Sequence, residues 1–302
     1  MSGACEDAKK LESPDTFFVL GNRKGQVEAG GLKTTLKLGL AVLPVVLFGV
    51  AIHSKWSVRA APRPEGRNPV VVELFTSEGC SSCPPADRLL AKMEREQPFS
   101  SAEVIALEEH VDYWNNLGWT DPFSSDSATV RQYAYVGVLG DGNAYTPQMV
   151  VDGQEEFVGS RERTARAVIE RAGTRKKAEV SVSVEKTGND REALLRIQVG
   201  PLPDVRADDK VEVWLAITET GLHSDVKRGE NAGEVLYHAA VVRKLRKVGT
   251  ATTGVENAFD FKQKVTRDPG WRPENLHIMA FVQEQKSKRI LGAGISSFEH
   301  QS

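Results

Sequence analysis

A chain of 302 residues is long enough for two domains. Forty per cent of the residues are hydrophobic and 26% are charged, a composition that is typical of globular proteins with a packed core. The formal net charge is −2 and no basic, aromatic-rich stretch is present, which argues against nucleic acid as a partner. The three cysteines are too few for a scaffold that is held together by disulfides.

The amino-terminal segment predicts export. Residues 1–31, which include the inert cysteine Cys5, are expected to be a disordered extension. Lysines then precede an apolar run at residues 38–52, and small residues follow it, which is the pattern of a signal peptide over residues 32–60. The run is shorter than the ~20 residues of a membrane-spanning helix, although an uncleaved segment would leave an inner-membrane anchor. We therefore expect a periplasmic or secreted protein, with residues 61–68 as a linker.

The first ordered stretch carries the clearest chemical signal. The β-branched run Val70–Phe75 predicts a buried strand, and a short turn leads from it to Cys80-Ser-Ser-Cys83 and a helix over residues 82–97. The positive end of a helix can stabilise a thiolate at such a junction. The pair therefore favours a redox site in which Cys80, the more exposed sulfur, attacks and Cys83 resolves the mixed disulfide.

Other interpretations of the two cysteines stay open. The pair is alternatively a structural disulfide in an interaction protein, where it only braces the loop. A further alternative is that the pair belongs to a non-catalytic metal-binding or carrier module made of Cys80, Cys83 and His110. Haem attachment is disfavoured because Pro84, rather than histidine, follows the second cysteine.

Strands and helices alternate over the next ninety residues. A two-residue hairpin signal, Asp152-Gly153, separates the last two strands of this region. The order of elements predicts an α/β domain over residues 69–175. Its further predicted elements are a strand at 103–108 parallel to the first, a helix from 124–126 to 139, strands at 149–151 and 156–158, and a helix from 160 to 173.

A polar and aromatic loop, His110–Trp119, follows the second strand. His110 and Asp112 are expected to approach Cys80 across the carboxyl edge of the sheet. The histidine is then a base for the thiol, a metal ligand, or a residue that is hydrogen-bonded to Asp112 and fixes the loop. Trp114 is an accessory candidate that either packs in the loop or forms part of a substrate platform.

The tripeptide Tyr145-Thr146-Pro147 opens a later strand. Cis peptide bonds are essentially confined to X–Pro, and the position of this bond before an apolar strand predicts that it is cis. A backbone edge turned toward the sulfurs can pair with an extended peptide or hold a bound thiol. Thr146 and Pro147 are therefore candidate site residues, and Tyr145 is a possible accessory.

The paired cysteines and the Thr146-Pro147 dipeptide together resemble the thioredoxin-like superfamily. More closely, the chain resembles a family of exported bacterial proteins, domain of unknown function 1223, in four stretches: Glu73–Asp87, His110–Trp114, Gly118-Trp119 and Tyr145–Met149. The resemblance implies a thioredoxin-like fold in which a cis Thr-Pro bond faces the disulfide, and it implies export without an established substrate. The buried acid of many thioredoxins has no match, because Leu74 stands in its place.

Period-2 patterns take over from residue 178. They predict an antiparallel β-sandwich over residues 178–302, a partner-docking module in its functional interpretation, with strands at 180–184, 194–199, 211–218, 235–242, 259–265, 276–282 and 290–295. His223, His238 and His277 lack ligand spacing and are interpreted as ordinary surface or core histidines. The predicted fold class is thus α/β, a thioredoxin-like domain followed by an antiparallel β-sandwich domain.

The predicted function is that of an exported thiol–disulfide oxidoreductase, a candidate enzyme that acts through Cys80 and Cys83 on protein or small-molecule thiols and disulfides. No cofactor and no nucleic acid are predicted, and a membrane is a partner only if residues 38–52 are retained. This interpretation requires both sulfurs to lie at one solvent-reachable edge beside Pro147.

Overall fold

The computed structural model describes residues 66–140 and 142–298. The predicted extension with Cys5, the signal or anchor segment and most of the linker lie outside the described residues. Among the helices of the described part, none combines the length and the apolar character that crossing a bilayer requires.

The described part of the chain contains three α-helices, thirteen strands and one short 3-10 helix, Pro273–Asn275. The first half contains β1 (Asn68–Thr76), α1 (Pro84–Glu96), β2 (Ala102–His110), α2 (Asp126–Leu139), β3 (Gln148–Val151), β4 (Glu155–Val158) and α3 (Glu162–Gly173). The second half contains β5 (Val180–Lys186), β6 (Glu192–Val199), β7 (Val211–Glu219), β8 (Leu222–Asp225), β9 (Val235–His238), β10 (Val241–Ala251), β11 (Phe259–Thr266), β12 (Leu276–Glu284) and β13 (Ile290–Ser297).

The first helices begin where the sequence predicts them. Pro84 and Pro85 occupy the first turn of α1, where the missing N–H groups cost no helical hydrogen bond. The Ser125 hydroxyl accepts a hydrogen bond from the Ala128 N–H and caps α2. Local sequence signals are therefore sufficient to place these elements.

One eight-stranded mixed sheet joins the two halves, in the order β13-β12-β7-β10-β2-β1-β3-β4. The junction is short: β10 runs parallel to β2, with Val241 opposite Glu108, and the Glu108 N–H donates to the Ala240 carbonyl. The described residues all belong to one compact unit. The predicted fold class, an α/β thioredoxin-like domain followed by a separate β-sandwich, is therefore wrong.

The physical reason lies in the open edge of β2. A strand's hydrophobic pattern reveals which face it buries, but it does not reveal which strand pairs with its backbone. The second half nevertheless has a second layer, because the three-stranded sheet β11-β6-β5 packs its apolar side chains on β7, β12 and β13. The domain boundaries given above stay predictions.

Helices cover both faces of the sheet in the first half. On one face, alternate β1 residues such as Leu74 pack with Leu90 of α1 and Ile169 of α3. On the other face, Phe75 packs with Tyr135 of α2. The same alternation in β2 directs Glu108 and His110 toward the α1 face, which positions the candidate site.

The α2 face also holds a buried ion cluster. The Arg131 guanidinium binds the Glu73 carboxylate, and its Nε lies 3.2 Å from Oε1 of Glu109. Its side chain is also stacked over the Tyr135 ring, with 5.1 Å between the guanidinium carbon and the ring centroid. Glu73 thus points away from α1, on the face of β1 opposite to Leu74.

The strand predicted over residues 235–242 is two strands. The chain turns at Ala239 and Ala240 between β9 and β10, and Ala240 has a φ of 54°, a left-handed conformation that an alanine does not signal. The turn brings His238 to Glu108. The short strand β8 was not predicted.

Candidate functional site

The two cysteines form a disulfide at the start of α1. The Cys80 N–H donates to the Ser77 carbonyl, and Cys83 occupies the N-cap position of α1 without a side-chain capping hydrogen bond. Pro84 and Pro85 carry no N–H, so these two residues offer no amide donor at the start of α1.

Both sulfurs are buried, so the expected solvent-reachable edge is wrong. Cys80 is 1% exposed and Cys83 is 0% exposed, whereas Ser81 and Ser82 between them are exposed. The disulfide is therefore buried beneath the exposed residues Ser81 and Ser82 of the turn.

A segment of the second half, residues 229–231, lies on the cysteine turn and is called the cover segment here. A Glu230 carboxylate oxygen accepts hydrogen bonds from the N–H (3.1 Å) and the hydroxyl (2.7 Å) of Ser81. The Asn231 side-chain amide donates to the carbonyls of Glu78 (2.8 Å) and Cys80 (3.1 Å). The cover segment comes about 150 residues later in the chain, so the local pattern around the cysteines could not reveal the burial.

The Thr146–Pro147 bond is cis, as predicted. The Thr146 hydroxyl accepts a hydrogen bond of 2.9 Å from the Trp114 indole, and the Trp114 Cβ lies close to Gly79, directly before Cys80. Trp114 therefore connects the cysteine turn to the prolyl dipeptide.

The prolyl ring lies near the first turn of α1. A Cβ built on Gly159 would be 3.2 Å from the Ala86 Cβ and 3.4 Å from the Pro147 Cβ, so both residues flank the same glycine. Ala86 follows Cys83 by three residues. Tyr145 faces elsewhere, because its hydroxyl binds the Glu156 carboxylate.

His110 binds Asp121 rather than Asp112, which corrects one of the predicted pairings. The His110 Nδ1 lies 2.7 Å from Oδ2 of Asp121. Asp112 instead accepts a 2.6 Å hydrogen bond from the Thr129 hydroxyl of α2. The reason is that the chain leaves the sheet after His110, so the residue two positions on no longer shares its face.

His110 belongs to a buried acid–histidine cluster behind the cysteine turn. Its members, all on the α1 side of the sheet or in the segments that pack there, are Glu78, Asp87, Glu108, His110, Asp121 and His238. His238 connects two of the acids: its Nδ1 is 2.8 Å from Oε1 of Glu108, and its Nε2 is 3.1 Å from Oε1 of Glu78. His238 is therefore a buried histidine, one of the two alternatives predicted for it, and it bridges two carboxylates, which the sequence did not indicate.

Backbone and indole donors hold the acids of the cluster in place. Asp121 accepts hydrogen bonds from the N–H groups of Glu78 and Phe123, both at 2.8 Å. Oε2 of Glu108 accepts from the Ala239 N–H at 2.9 Å, and Oε2 of Glu78 accepts from the Trp119 indole at 2.7 Å. These contacts fix the orientation of three carboxylates without exposing them to water.

Comparison with known proteins assigns the chain to a family. A family model described as "Protein of unknown function (DUF1223)" matches residues 71–283, more than half of the chain. The chain belongs to this family. Among curated proteins none matches it.

Two solved structures share the fold of this family member. A protein of Agrobacterium tumefaciens solved by the Northeast Structural Genomics Consortium is 29% identical, with a TM-score of 0.56 over 77% of this chain and 96% of that one. HBP35 of Porphyromonas gingivalis is 19% identical, with a TM-score of 0.58 over 78% of this chain and 76% of that one. The second likeness shows the fold alone.

Burial and neighbouring charges shift the pKa values of the cluster. Burial acts to lower the pKa of His238, but the charge of Glu108 and the hydrogen bonds to Glu108 and Glu78 outweigh it and raise the pKa to about 9. Burial likewise opposes the charged form of His110, and Asp121 outweighs it and holds that pKa well above its ordinary value.

Asp87 is the acid of the cluster that is poised near neutral pH. Burial, followed by the charge of Glu108, raises its pKa to about 7, against the hydrogen bond of 2.6 Å from the Thr76 hydroxyl. Its backbone N–H donates to the Cys83 carbonyl. A buried acid thus lies one helical turn after Cys83, supplied by α1 rather than by β1, and its carboxyl is bound to the Thr76 hydroxyl.

Sequence reasoning missed several residues of the cluster, and some of them carry a signal. Asp87 stands on the apolar stripe of α1 beside Ala86 and Leu90, where a carboxylate is out of place. Glu108 and His110 are polar residues on the buried face of a strand. Asp121 and His238 carry no local signal, because their roles depend on long-range packing.

Proposed function

We propose that this protein is an exported thiol–disulfide oxidoreductase whose Cys80–Cys83 disulfide is covered in the form described here. The observation that carries the proposal is the position of the disulfide: it begins α1, and the buried carboxyl of Asp87 lies one helical turn further on. Protein or small-molecule thiols and disulfides are its proposed substrates, and the periplasm or the exterior is its proposed location.

The proposed exchange uses the sulfurs in sequence. A substrate thiolate attacks Sγ of Cys80, the Cys80–Cys83 bond breaks, and Cys83 leaves as a thiolate. A second substrate thiolate then attacks the substrate sulfur of the mixed disulfide and releases Cys80 as a thiolate, so that two thiols are oxidised and the protein disulfide is reduced. Asp87 in its protonated form donates the proton that the departing Cys83 takes up.

The residues around the disulfide support the proposed thiol–disulfide exchange. Paired cysteines at a helix start, with a cis-prolyl bond on the same side of the sheet, resemble a thioredoxin-like site, although the sheet of the whole chain differs. The covered form does not provide the solvent-reachable edge that exchange requires. The proposal therefore includes a movement of the cover segment, whose Asn231 and Glu230 hold the turn that contains Cys80.

Insulin reduction and the refolding of a reduced substrate test the proposal. The full chain is assayed beside Cys80→Ser and Cys83→Ser, with circular dichroism to verify that each variant is folded. We expect turnover by the wild type and none by Cys80→Ser. Equal rates in the three proteins would refute the proposal.

A second function is favoured by one specific observation, the burial of both sulfurs. In an interaction protein the disulfide would only brace the turn from Glu78 to Cys83. Such a disulfide would resist mild reductants in the native protein and yield only when the whole chain unfolds. The module of Cys80, Cys83 and His110 is not assembled in the described residues, since the two cysteines are joined to each other.

A further inference from the structure

We infer that Glu108, His110 and His238 form a binding site for a divalent transition-metal ion such as zinc. The three side chains are buried, and one ligand atom from each lies within 4.8 Å of the others. They come from β2 and from the end of β9, so the site exists only because the two halves share a sheet. This inference does not depend on the proposed redox function.

The His110 ring provides the first observation that points to a ligand. Its Nε2 is buried and has no hydrogen-bond partner of normal geometry among the described residues; Oε1 of Glu108 is 3.4 Å away. Leaving a buried polar atom without a partner costs free energy, so such atoms are rare without a ligand or water. A metal ion between these two atoms would satisfy the nitrogen.

The spacing of the donor atoms fits a small cation. Ligand atoms that lie 2.0–2.1 Å from a tetrahedral zinc ion are roughly 3.3 Å from one another. The distance from Glu108 Oε1 to His110 Nε2 is 3.4 Å, and that to His238 Nδ1 is 2.8 Å. All three ligand atoms lie within 4.8 Å of one another, so adjustments of the two imidazole rings and of Glu108 would bring them into coordination distance.

The outer contacts of both histidines are those of metal ligands. The ring nitrogen that faces away from the proposed ion is bound to a carboxylate in each case: Asp121 for His110 and Glu78 for His238. Such carboxylate partners fix the tautomer and the orientation of metal-bound imidazoles. Asp121 and Glu78 are therefore the carboxylates that would orient the two histidine ligands.

A protonated ion network is the rival explanation. The 2.8 Å between His238 Nδ1 and Glu108 Oε1 fits a hydrogen bond of such a network, and the distance at His110 Nε2 favours the metal. Two imidazolium ions would supply two positive charges beside the three carboxylates of Glu78, Glu108 and Asp121, as many as one divalent ion between neutral imidazoles. A proton on His110 Nε2 would then form a charge-assisted hydrogen bond, which is normally about 2.7–2.9 Å long. The distance of 3.4 Å is too long for that bond but suits two ligands of one ion.

A cleft gives solvent a route toward the site. It has a volume of about 310 Å³, opens between the start of α2 and β10, and is lined by His110, Phe123 and Arg243 among others. Two imidazoles and one carboxylate favour zinc, iron(II) or copper(II) over magnesium or calcium, which prefer oxygen ligands. The fourth position would be open to water or to another small ligand.

Metal titration of the full chain tests the inference. The oxidised protein is stripped with a chelator and titrated with Zn²⁺ by calorimetry and with Co²⁺ by absorption spectroscopy. We expect one ion per chain and the intense d–d bands of four-coordinate cobalt. His110→Gln and His238→Gln should lose this binding, Asp121→Asn should weaken it about 10- to 100-fold, and His223→Gln, an exposed histidine outside the site, is the matched control.

Several results would overturn the inference. These are no saturable Zn²⁺ binding by the wild type, equal affinity in His110→Gln and His223→Gln, or loss of binding in the Cys80→Ser/Cys83→Ser double variant. Should a histidine variant fail to fold, the wild-type cobalt spectrum decides: nitrogen and oxygen ligands support the site, and a thiolate charge-transfer band contradicts it. The insulin assay is read separately, so failure of the redox proposal leaves this test intact.

Discussion

Replacing Asn231 by alanine should expose the disulfide to thiols without unfolding the protein. The Asn231 amide donates hydrogen bonds to the carbonyls of Glu78 (2.8 Å) and Cys80 (3.1 Å), and it is the buried contact of the cover segment with the cysteine turn. Alanine removes both donors and leaves the cysteines unchanged. The covered form then loses stability relative to a form in which the turn is accessible.

The size of the effect follows from those two bonds. A hydrogen bond of this kind contributes about 0.5–1.5 kcal/mol net, so the covered form should lose roughly 1–3 kcal/mol. Since about 1.4 kcal/mol changes an equilibrium tenfold, the accessible population and the rate of reduction should rise about 5- to 150-fold. A water molecule that replaces the amide in the covered form of the variant would bind the two carbonyls and place the effect in the lower part of this range.

The assay is the rate of reduction of the native protein by dithiothreitol, followed by alkylation and mass spectrometry. Asn189→Ala, at an exposed turn between β5 and β6, controls for a lost surface amide. Arg131→Met controls for global stability, because it disturbs the α2 face and leaves the cover segment intact. Equal rates in Asn231→Ala and the wild type, or equal acceleration by Arg131→Met, would refute local opening and favour a structural disulfide.

Three further perturbations test other parts of the account. Asp87→Asn should slow disulfide reduction up to about 100-fold near neutral pH. Burial raises the pKa of Asp87 to about 7 in the folded protein, so between about pH 4 and 7 the folded state holds a proton that the unfolded state has lost. The free energy of unfolding of the wild type should therefore fall as the pH rises through that window, and urea unfolding should show a smaller fall in the variant. Arg131→Met should cost about 3–5 kcal/mol in urea unfolding, since it leaves two buried carboxylates without their cation, and a loss below 1 kcal/mol would contradict this. Gly153→Ala should lower the melting temperature strongly, because φ is +64° and a Cβ would overlap a backbone carbonyl, whereas Gly188→Ala, where space is open, should not; equal melting temperatures would contradict the assigned turn.

Local signals in the sequence predicted the elements and part of the site. The strand before Cys80, the prolines at the start of α1, the Ser125 cap and the cis bond at Pro147 all follow from preferences that act over a few residues. The disulfide is likewise an interaction between close neighbours in the chain.

Long-range pairing is what the sequence could not provide. The left-handed turn at Ala240 ends β9, starts β10 and lets the second half continue the sheet at Glu108. The same pairing carries His238 into the buried cluster and brings Asn231 onto the cysteine turn. The wrong prediction of the fold class and the wrong prediction that the sulfurs are exposed therefore have one cause. The sequence of β2 does not indicate that β10 pairs with its open edge.

The reduction potential of the Cys80–Cys83 pair tests the central claim most directly. The full chain is equilibrated in thiol–disulfide buffers of known potential, and the two cysteines are quantified after alkylation. A redox-active pair should lie at or above about −270 mV, in the range between thioredoxin and DsbA. A potential below about −300 mV, the range of structural disulfides, would contradict the proposed oxidoreductase.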